Sequence, residues 1–148
     1  DVRGDDGQID RKVLGGKVFG KPEELRKLTD IVWPEIRRLA ELELAAIADR
    51  DPEAIVVLEA AVLFEAGWED IGEEIWVLTV DRETAIARSM ARDKALRDAV
   101  ERRLDSQLSN EVRTSRADVV VTNDSDVAAM LAQIDSAFAD STGVSGTG

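Results

Sequence analysis

Three arginines and one glutamine form the pattern in this sequence with the clearest potential for chemistry. Arg88 and Arg92 are four residues apart, as are Arg103 and Gln107, within two segments whose apolar periodicity predicts helices. A guanidinium group binds phosphate oxygens in pairs and keeps its charge at every relevant pH. The spacing predicts either an arm that closes three guanidinium groups over a phosphate chain, or outward arginines that only solvate a helical hairpin.

One carboxylate, Glu65, stands where an apolar run leads into a loop. The run begins at Val56, and the loop continues to Trp68. In open α/β sheets the ligand crevice lies beyond the carboxyl ends of the strands. The segment from Leu63 to Trp68 is therefore expected to lie where a substrate binds.

Composition narrows the class of protein. The chain has 148 residues, of which 44% are hydrophobic, enough for one core and hence one domain. Neither cysteine nor histidine occurs, so a general base must be a carboxylate, and disulfides and zinc–thiolate sites are excluded. No apolar run approaches the roughly 20 residues that span a bilayer, and the polar start is unlike a signal peptide. We expect a cytoplasmic or organelle-matrix protein that is not bound to a membrane.

The charge is unevenly distributed. The net charge of −12 argues against a nucleic-acid partner. Residues 82–116 nevertheless carry nine Lys and Arg against six Asp and Glu. Such a positive island attracts a phosphorylated ligand; the alternative is a helical pair enriched in arginine by chance.

The elements needed to position these residues alternate between helices and strands. Asp10 is expected to cap a helix that ends near Gly20, and Pro22 to begin a stretch that reaches Arg50 as two helices or as one bent at Pro34. Apolar, β-branched runs predict strands buried on both faces at 55–59, 75–80 and 118–123. Further helices are expected at 82–93, 95–107 and 126–138, with a disordered tail at 141–148. The alternation predicts an α/β fold with a mainly parallel sheet.

Several motifs resemble the dephospho-coenzyme A kinase family. The segment from Val62 to Trp68 resembles that family's acid-bearing loop. The lid of that family reads approximately Arg, three residues, Arg-Asp, a turn and Arg-Leu-x-x-Gln. Residues 88–93 and 103–107 of this chain follow this pattern. Residues 7–14 with Val18-Phe19 resemble the Gly-x-Ile-Asp-Arg block, and 117–123 the Ala-Asp-x-x-x-x-Asn segment. One departure is that Lys94-Ala95-Leu96 replaces the usual Gly-Leu-Ser after the lid Arg-Asp, which is expected to stiffen the lid hinge.

The resemblance implies a three-layer P-loop-kinase-like fold with helical insertions. It implies a kinase-like domain at 1–140, in which a helical substrate region covers about 10–50 and a lid about 82–116. The implied activity is ATP-dependent phosphorylation of the ribose 3′-hydroxyl of dephospho-coenzyme A, with Mg²⁺ as cofactor. Alternatives are a different nucleotide kinase, or a non-catalytic nucleotide-binding or scaffolding remnant of a P-loop kinase.

The resemblance also implies roles for the individual residues of this chain that match the family's motifs. Arg88, Arg92 and Arg103 become candidate catalytic residues that neutralise the transferred phosphoryl group. Arg88 and Arg92 also become candidate ATP contacts, together with Asn123, which is expected near the adenine.

The implied substrate contacts lie elsewhere in the chain. Arg11 is a candidate for a substrate phosphate, and Leu63 and Glu65 belong to the acid-bearing loop. Glu65 either orients the substrate through a hydroxyl or amide, or caps the following turn. Trp33-Pro34 stands where the family usually has His-Pro, and this variation resembles the form found in bifunctional coenzyme A synthases. The resemblance therefore implies a fused or associated pantetheine-phosphate adenylyltransferase as a partner.

The phosphate-binding loop of this superfamily, Gly-x-x-x-x-Gly-Lys-Ser/Thr, does not occur in the sequence. Gly15-Gly16-Lys17 lacks the first glycine and the hydroxyl residue. The resemblance therefore predicts an N-terminally truncated kinase, with the loop, the magnesium ligands and a proton-accepting aspartate upstream. Relatives order their sheet 2-3-1-4-5, so the missing strand is expected between 55–59 and 75–80.

Overall fold

A computed structural model describes residues 2–4, 6–105 and 107–142. The chain divides into two compact units, Asp1–Ala61 and Val62–Gly148. Each unit is described by itself.

Two helices make up most of the first unit. Helix α1 spans Arg11–Val18, and the Asp10 carboxylate accepts hydrogen bonds from the backbone amides of Lys12 and Val13 at 2.9 and 3.0 Å. Gly20 follows with φ 77°, a left-handed conformation that glycine adopts without a steric penalty. The predicted N-cap and the predicted end of this helix are both confirmed.

Helix α2 spans Pro22–Arg50 without interruption, and Pro34 lies inside it. The alternative of two separate helices is therefore wrong. Proline removes one hydrogen bond and is unfavourable in a helix interior. The residues around it are mostly strong helix formers, and local ion pairs such as Lys27–Glu24 and Arg37–Glu41, both 2.7 Å, stabilise the helix on either side.

Residues 55–59 form no strand, contrary to the prediction. Ile55 is 63% exposed and Val57 is 86% exposed. A strand requires a hydrogen-bonded neighbour, and an apolar, β-branched run cannot supply one by itself. The residue types in this segment favour a strand, but the sheet of the described residues contains no neighbouring strand that pairs with it.

The second unit contains a two-stranded parallel sheet. Strand β1 spans Trp76–Thr79 and β2 spans Val119–Thr122, in a register that pairs Val77 with Val120. The predicted strands at 75–80 and 118–123 and their parallel pairing are thus confirmed. The expected burial of both faces is not, because Leu78 and Val120 are exposed, as follows from a sheet of only two strands.

Helices follow each strand. The helices are α3 (Arg82–Asp93), α4 (Arg97–Asp105), α5 (Asn110–Thr114) and α6 (Val127–Thr142). Helix α6 packs on β2, and α5 contacts β1. The core side chains of this unit are Trp68, Val77, Ile86, Val100 and Val121.

Helix boundaries differ from the predictions in three places. Helix α4 is shorter than the predicted 95–107, so Leu96 is 80% exposed and Gln107 lies outside the helix. The short α5 was not predicted, because five residues are too few for an apolar period. Helix α6 extends two residues into the predicted tail; residues 143–148 lie outside the described part of the chain. Among the described helices, none is both long and apolar enough to cross a membrane.

Candidate active site

Arg92 and Arg103 meet at one carboxylate. Arg92 donates from Nε to Asp93 Oδ1 at 2.7 Å and from Nη2 to Asp93 Oδ2 at 2.9 Å. Arg103, from the following helix, donates from Nη1 to Asp93 Oδ2 at 3.4 Å. Two of the three predicted lid arginines therefore share an anionic partner at the end of α3, where a phosphate group could replace a carboxylate.

This contact changes the proton affinity of its members. The hydrogen bond from Arg92 lowers the pKa of Asp93, and the charge of Arg103 adds to the effect. The same carboxylate raises the pKa of the Arg92 guanidinium. The cluster is therefore charged at neutral pH, with two cations around one anion.

Arg88 makes a different contact from Arg92, although the two are one helical turn apart. Its Nη1 donates to the carbonyl oxygen of Asn123 at 2.6 Å, and its Nη2 donates to that of Ser125 at 3.4 Å. These carbonyls lie just beyond the carboxyl end of β2. The structure thus brings together Arg88 and Asn123, two of the predicted ATP contacts.

The carboxyl end of β1 lies at the same edge. The backbone amide of Asp81 donates to Asp124 Oδ1 at 2.7 Å, and Asp81 itself caps α3 through the amide of Thr84. The hydrogen bonds from Thr84 lower the pKa of Asp81, and the charge of Arg88 contributes. Polar groups from both strand ends and from α3 therefore converge where open α/β sheets bind ligands.

Two further ion pairs join α3 to α4. Arg82 pairs with Asp105 at 2.9 Å, and Arg97 pairs with Glu83 at 2.7 Å. The pKa of Glu83 is lowered chiefly by its hydrogen bond to Arg97. Much of the positive island at 82–116 is therefore paired with its own carboxylates, and these pairs hold the helical hairpin together.

Lys94 lies between α3 and α4, the helices of the predicted lid, in a strained conformation. It is the only non-glycine residue with positive φ in the described part of the chain, at φ 51° and ψ 33°. This left-handed region costs an L-residue roughly 1–2 kcal/mol. The glycine that the resemblance implies here would adopt this conformation without that cost, so Lys94 occupies a position that favours glycine.

The acid-bearing loop is a tight turn. The amide of Trp68 donates to the carbonyl of Leu63 at 3.0 Å, and Gly67 has φ 67°. Glu65 Oε1 accepts a 3.4 Å hydrogen bond from the backbone amide of Leu108, three residues beyond the end of α4. Glu65 thus contacts a distant amide at the base of the lid and does not cap its own turn.

Arg116 is a contributor that the motif pattern did not single out. Its guanidinium pairs with Glu69 and lies over the Phe64 ring, 4.7 Å from the ring centroid. It belongs to the basic island, but it lies beyond the end of α5 and outside the lid pattern of arginines. The signal that could have found it is its place directly before the Ala117-Asp118 motif, which leads into β2.

Arg11 is the exposed first residue of α1. It belongs to Asp1–Ala61, whereas the other candidate residues belong to Val62–Gly148. Within residues 2–4, 6–105 and 107–142, no group of three or more carboxylates is placed to hold a metal ion.

A parallel sheet with arginine-bearing helices beyond its strand ends is typical of α/β proteins that bind ligands at that edge of the sheet. Comparison with known proteins makes this assignment more specific: residues 1–129 match the family model for dephospho-CoA kinase. The chain belongs to the dephospho-CoA kinase family.

Curated relatives of this chain are named dephospho-CoA kinase. The chain is 44% identical over 118 residues to the dephospho-CoA kinase of Geobacter sulfurreducens, covering 80% of this chain and 59% of the relative. It is 36% identical over 133 residues to that of Moorella thermoacetica, covering 90% and 63%. The chain therefore spans about three fifths of the length of these relatives.

Solved structures agree on the fold. The crystal structure of TT1252 from Thermus thermophilus matches with a TM-score of 0.78 and 33% identity, covering 95% of this chain and 70% of that one. Dephospho-CoA kinase from Campylobacter jejuni matches with a TM-score of 0.64 and 31% identity, covering 97% and 71%. The predicted fold class is confirmed.

Proposed function

We propose that the protein carrying this chain phosphorylates the ribose 3′-hydroxyl of dephospho-coenzyme A with ATP, forming coenzyme A. Membership of the dephospho-CoA kinase family supports this reaction. The structural observation that carries it is the pair of guanidinium groups, from Arg92 and Arg103, that already enclose one anion.

The chemistry is transfer of a phosphoryl group. The bond from the γ-phosphorus to the β,γ-bridging oxygen breaks, a bond to the 3′-oxygen forms, and ADP leaves. Negative charge spreads over the equatorial oxygens in the transition state, and positioned guanidinium groups stabilise it. We assign Arg92 and Arg103 to this role, with Asp93 exchanged for the phosphoryl oxygens when substrates bind.

Arg88 is assigned to ATP and to charge stabilisation. It lies at the carboxyl end of β2 and is held by the carbonyl of Asn123, the other residue that we assign to the nucleotide. Its hydrogen bonds are to neutral carbonyls, and the nearby Asp81 carboxylate interacts with its charge without accepting a hydrogen bond from it in the described contacts.

The remaining assignments concern the acceptor. Leu63 and Glu65 are proposed to contact dephospho-coenzyme A, because their turn is fixed by backbone hydrogen bonds and adjoins the base of the lid. Arg11 is proposed to bind a phosphate of this substrate. The helical region from about 10 to 50 is the proposed substrate region, and 82–116 the proposed lid.

Magnesium would neutralise charge on the β- and γ-phosphates when bound with ATP. The described residues form no cluster of carboxylates suited to it, and no step above depends on it. The phosphate-binding loop, the magnesium ligands and the base that takes the 3′-hydroxyl proton are predicted in the sequence upstream of the Gly7–Leu14 block. A cytoplasmic location and an associated adenylyltransferase also remain predictions.

The test is an acceptor panel with the full-length protein. Purified protein is incubated with ATP and Mg²⁺ and with dephospho-coenzyme A, AMP, adenosine or pantetheine phosphate, and the products are identified by mass spectrometry. The proposal expects phosphate on dephospho-coenzyme A alone, at the 3′ position, together with one ADP per product.

Other outcomes identify the alternatives. Faster phosphorylation of another acceptor would indicate a different nucleotide kinase. Binding of ATP without turnover of any acceptor would indicate a non-catalytic remnant. Either result would overturn the proposed reaction.

A further inference from the structure

We propose that Arg116 is a positioning residue that fixes the acid-bearing turn and thereby sets the affinity for the acceptor. This inference rests on the proposed function, and it assigns a role to a side chain outside the lid motifs. The turn is defined as residues 62–69.

The first support is the double contact made by the Arg116 side chain. Its Nη2 donates to Glu69 Oε1, and the guanidinium carbon lies 4.7 Å from the centre of the Phe64 ring. The side chains of Arg116 and Glu69 are 39% and 30% exposed, so the pair is partly shielded from water. Partial burial strengthens both an ion pair and a cation–π contact relative to a fully exposed site.

The second support is where these contacts fall in the chain. Phe64 immediately precedes Glu65, and Glu69 follows it by four residues, so Arg116 holds the turn on both sides of the acid. Glu65 in turn accepts from the amide of Leu108. Three contacts therefore attach one turn to the segment 108–116, across 43 to 52 residues of sequence, and two of them come from a single side chain.

The third support is the choice of arginine. A planar guanidinium can lie over a ring and still donate hydrogen bonds in its own plane to a carboxylate. Lysine offers a point charge without that geometry. The buried Trp68 anchors the C-terminal part of the turn, and Glu65 lies between Phe64 and Glu69, the two residues that Arg116 contacts.

Loss of Arg116 is expected to affect the acceptor and not the transferred phosphoryl group. The arginines of the lid have their own partners, Asp93 for Arg92 and Arg103 and the Asn123 carbonyl for Arg88. A loosened turn would lower the fraction of protein in which Glu65 is correctly placed, which weakens apparent binding by the same factor.

The experiment uses the full-length protein with the variants Arg116→Met, Arg116→Lys and Glu69→Gln, and with Glu73→Gln as a matched control for Glu69→Gln. Glu73 is an exposed carboxylate before β1, outside the proposed lid and the proposed substrate region. We expect Arg116→Met to raise KM for dephospho-coenzyme A by about tenfold, with kcat and KM for ATP within twofold of the parent. Arg116→Lys and Glu69→Gln should lie between parent and Arg116→Met, and Glu73→Gln should leave all three constants unchanged.

A second readout does not require activity. Hydrogen exchange at the amides of Trp68 and Leu108 should speed up by about fivefold in Arg116→Met, because both amides are bonded within or to the turn. Unchanged exchange at both amides would overturn the inference even if the protein were inactive. A lower Tm with unchanged KM would also overturn it, leaving Arg116 a purely structural residue.

The two proposals can fail separately. A parent protein that phosphorylates no dephospho-coenzyme A but shows the exchange effect would overturn the proposed function and the acceptor role of Arg116. An active parent whose Arg116→Met variant keeps its KM would overturn only the role of Arg116.

Discussion

The two units differ in what stabilises them. Among the described residues, Val18 is the buried apolar side chain of Asp1–Ala61, whereas Val62–Gly148 buries Trp68 and four others. Helix α2 has no buried residue over its 29 positions, and its ion pairs join residues three or four apart. The second unit is instead joined by contacts between residues far apart in sequence, such as Ile75 with Asp118.

This difference separates local from long-range stabilisation. A helix satisfies its own backbone hydrogen bonds, so α1 and α2 form from short-range signals. A parallel sheet and a paired helical hairpin require partners that the chain supplies much later. The contacts that carry the proposed chemistry belong to the second kind, which explains why changes there should have larger effects.

The largest effect is expected on turnover, from the lid. Arg92→Ala should lower kcat for dephospho-coenzyme A by on the order of 10³-fold, because it removes a charge that stabilises the transferred phosphoryl group. Steady-state kinetics of the full-length protein measure this, with Glu53→Gln as the control, because Glu53 is an exposed residue of the first unit outside the proposed substrate region. A change confined to acceptor affinity would contradict the assignment of Arg92 to the lid.

The next effect concerns the core of the second unit. Ile86 is 1% exposed and Leu39 of α2 is 54% exposed. Ile86→Ala should reduce the free energy of unfolding by about 2–5 kcal/mol, and Leu39→Ala by less than about 0.5 kcal/mol. Denaturant unfolding measures both, and equal losses would show that the exposed face of α2 is covered in the full-length protein.

A smaller effect is expected in the first unit, at its helix cap. Asp10→Ala removes the acceptor for two backbone amides at the start of α1, which should cost about 1 kcal/mol. Asp10→Asn keeps an acceptor oxygen and should behave like the parent. Denaturant unfolding measures both variants. If Asp10→Ala left the free energy of unfolding unchanged, α1 would be stabilised by contacts other than its N-terminal cap.

Relief of strain at the lid hinge should be smaller still. Lys94→Gly removes the penalty at φ 51° but adds flexibility to the unfolded chain, so the net gain should be about 0.5 kcal/mol. Ala91→Gly, inside α3, should instead cost about 1 kcal/mol. Thermal unfolding shows whether each substitution raises or lowers the stability. A loss of stability in both variants would refute strain at Lys94.

The smallest effect is expected from pH near neutrality. Hydrogen bonding to Arg92 holds the pKa of Asp93 below its ordinary value of 3.8. A carboxyl whose folded pKa is lowered stabilises the fold above its unfolded pKa and loses this contribution as pH falls through the folded pKa. The contact of Asp93 with Arg92 and Arg103 should therefore be constant from pH 9 to 5 and weaken below about 4. An NMR titration of the carboxyl groups measures this, with Asp93→Asn as the control that identifies the Asp93 signal. A titration midpoint of Asp93 above 3.8 would contradict the ion pair.

Prediction from sequence was most successful where the signal was local. Asp10 marks the start of α1 by capping and Gly20 marks its end by its positive φ, and the apolar, β-branched runs located β1 and β2. It was unsuccessful at Ile55, because local composition indicates that a strand is possible but not that a partner is present. The motif pattern also identified Arg92 and Arg103, but not that Asp93 would hold both.

The sequence by itself determined helices α1, α2, α3 and α6, the two paired strands and the family resemblance, because capping, periodicity and motifs are read from residues close along the chain. Only the tertiary structure determined that Arg88 contacts the Asn123 carbonyl, that Glu65 accepts from Leu108, and that Arg116 holds the turn between Phe64 and Glu69. These contacts join residues 35 to 52 positions apart. The parallel pairing of β1 with β2 brings together segments that are distant in sequence, and the contact between Arg88 and Asn123 lies at the carboxyl end of that sheet.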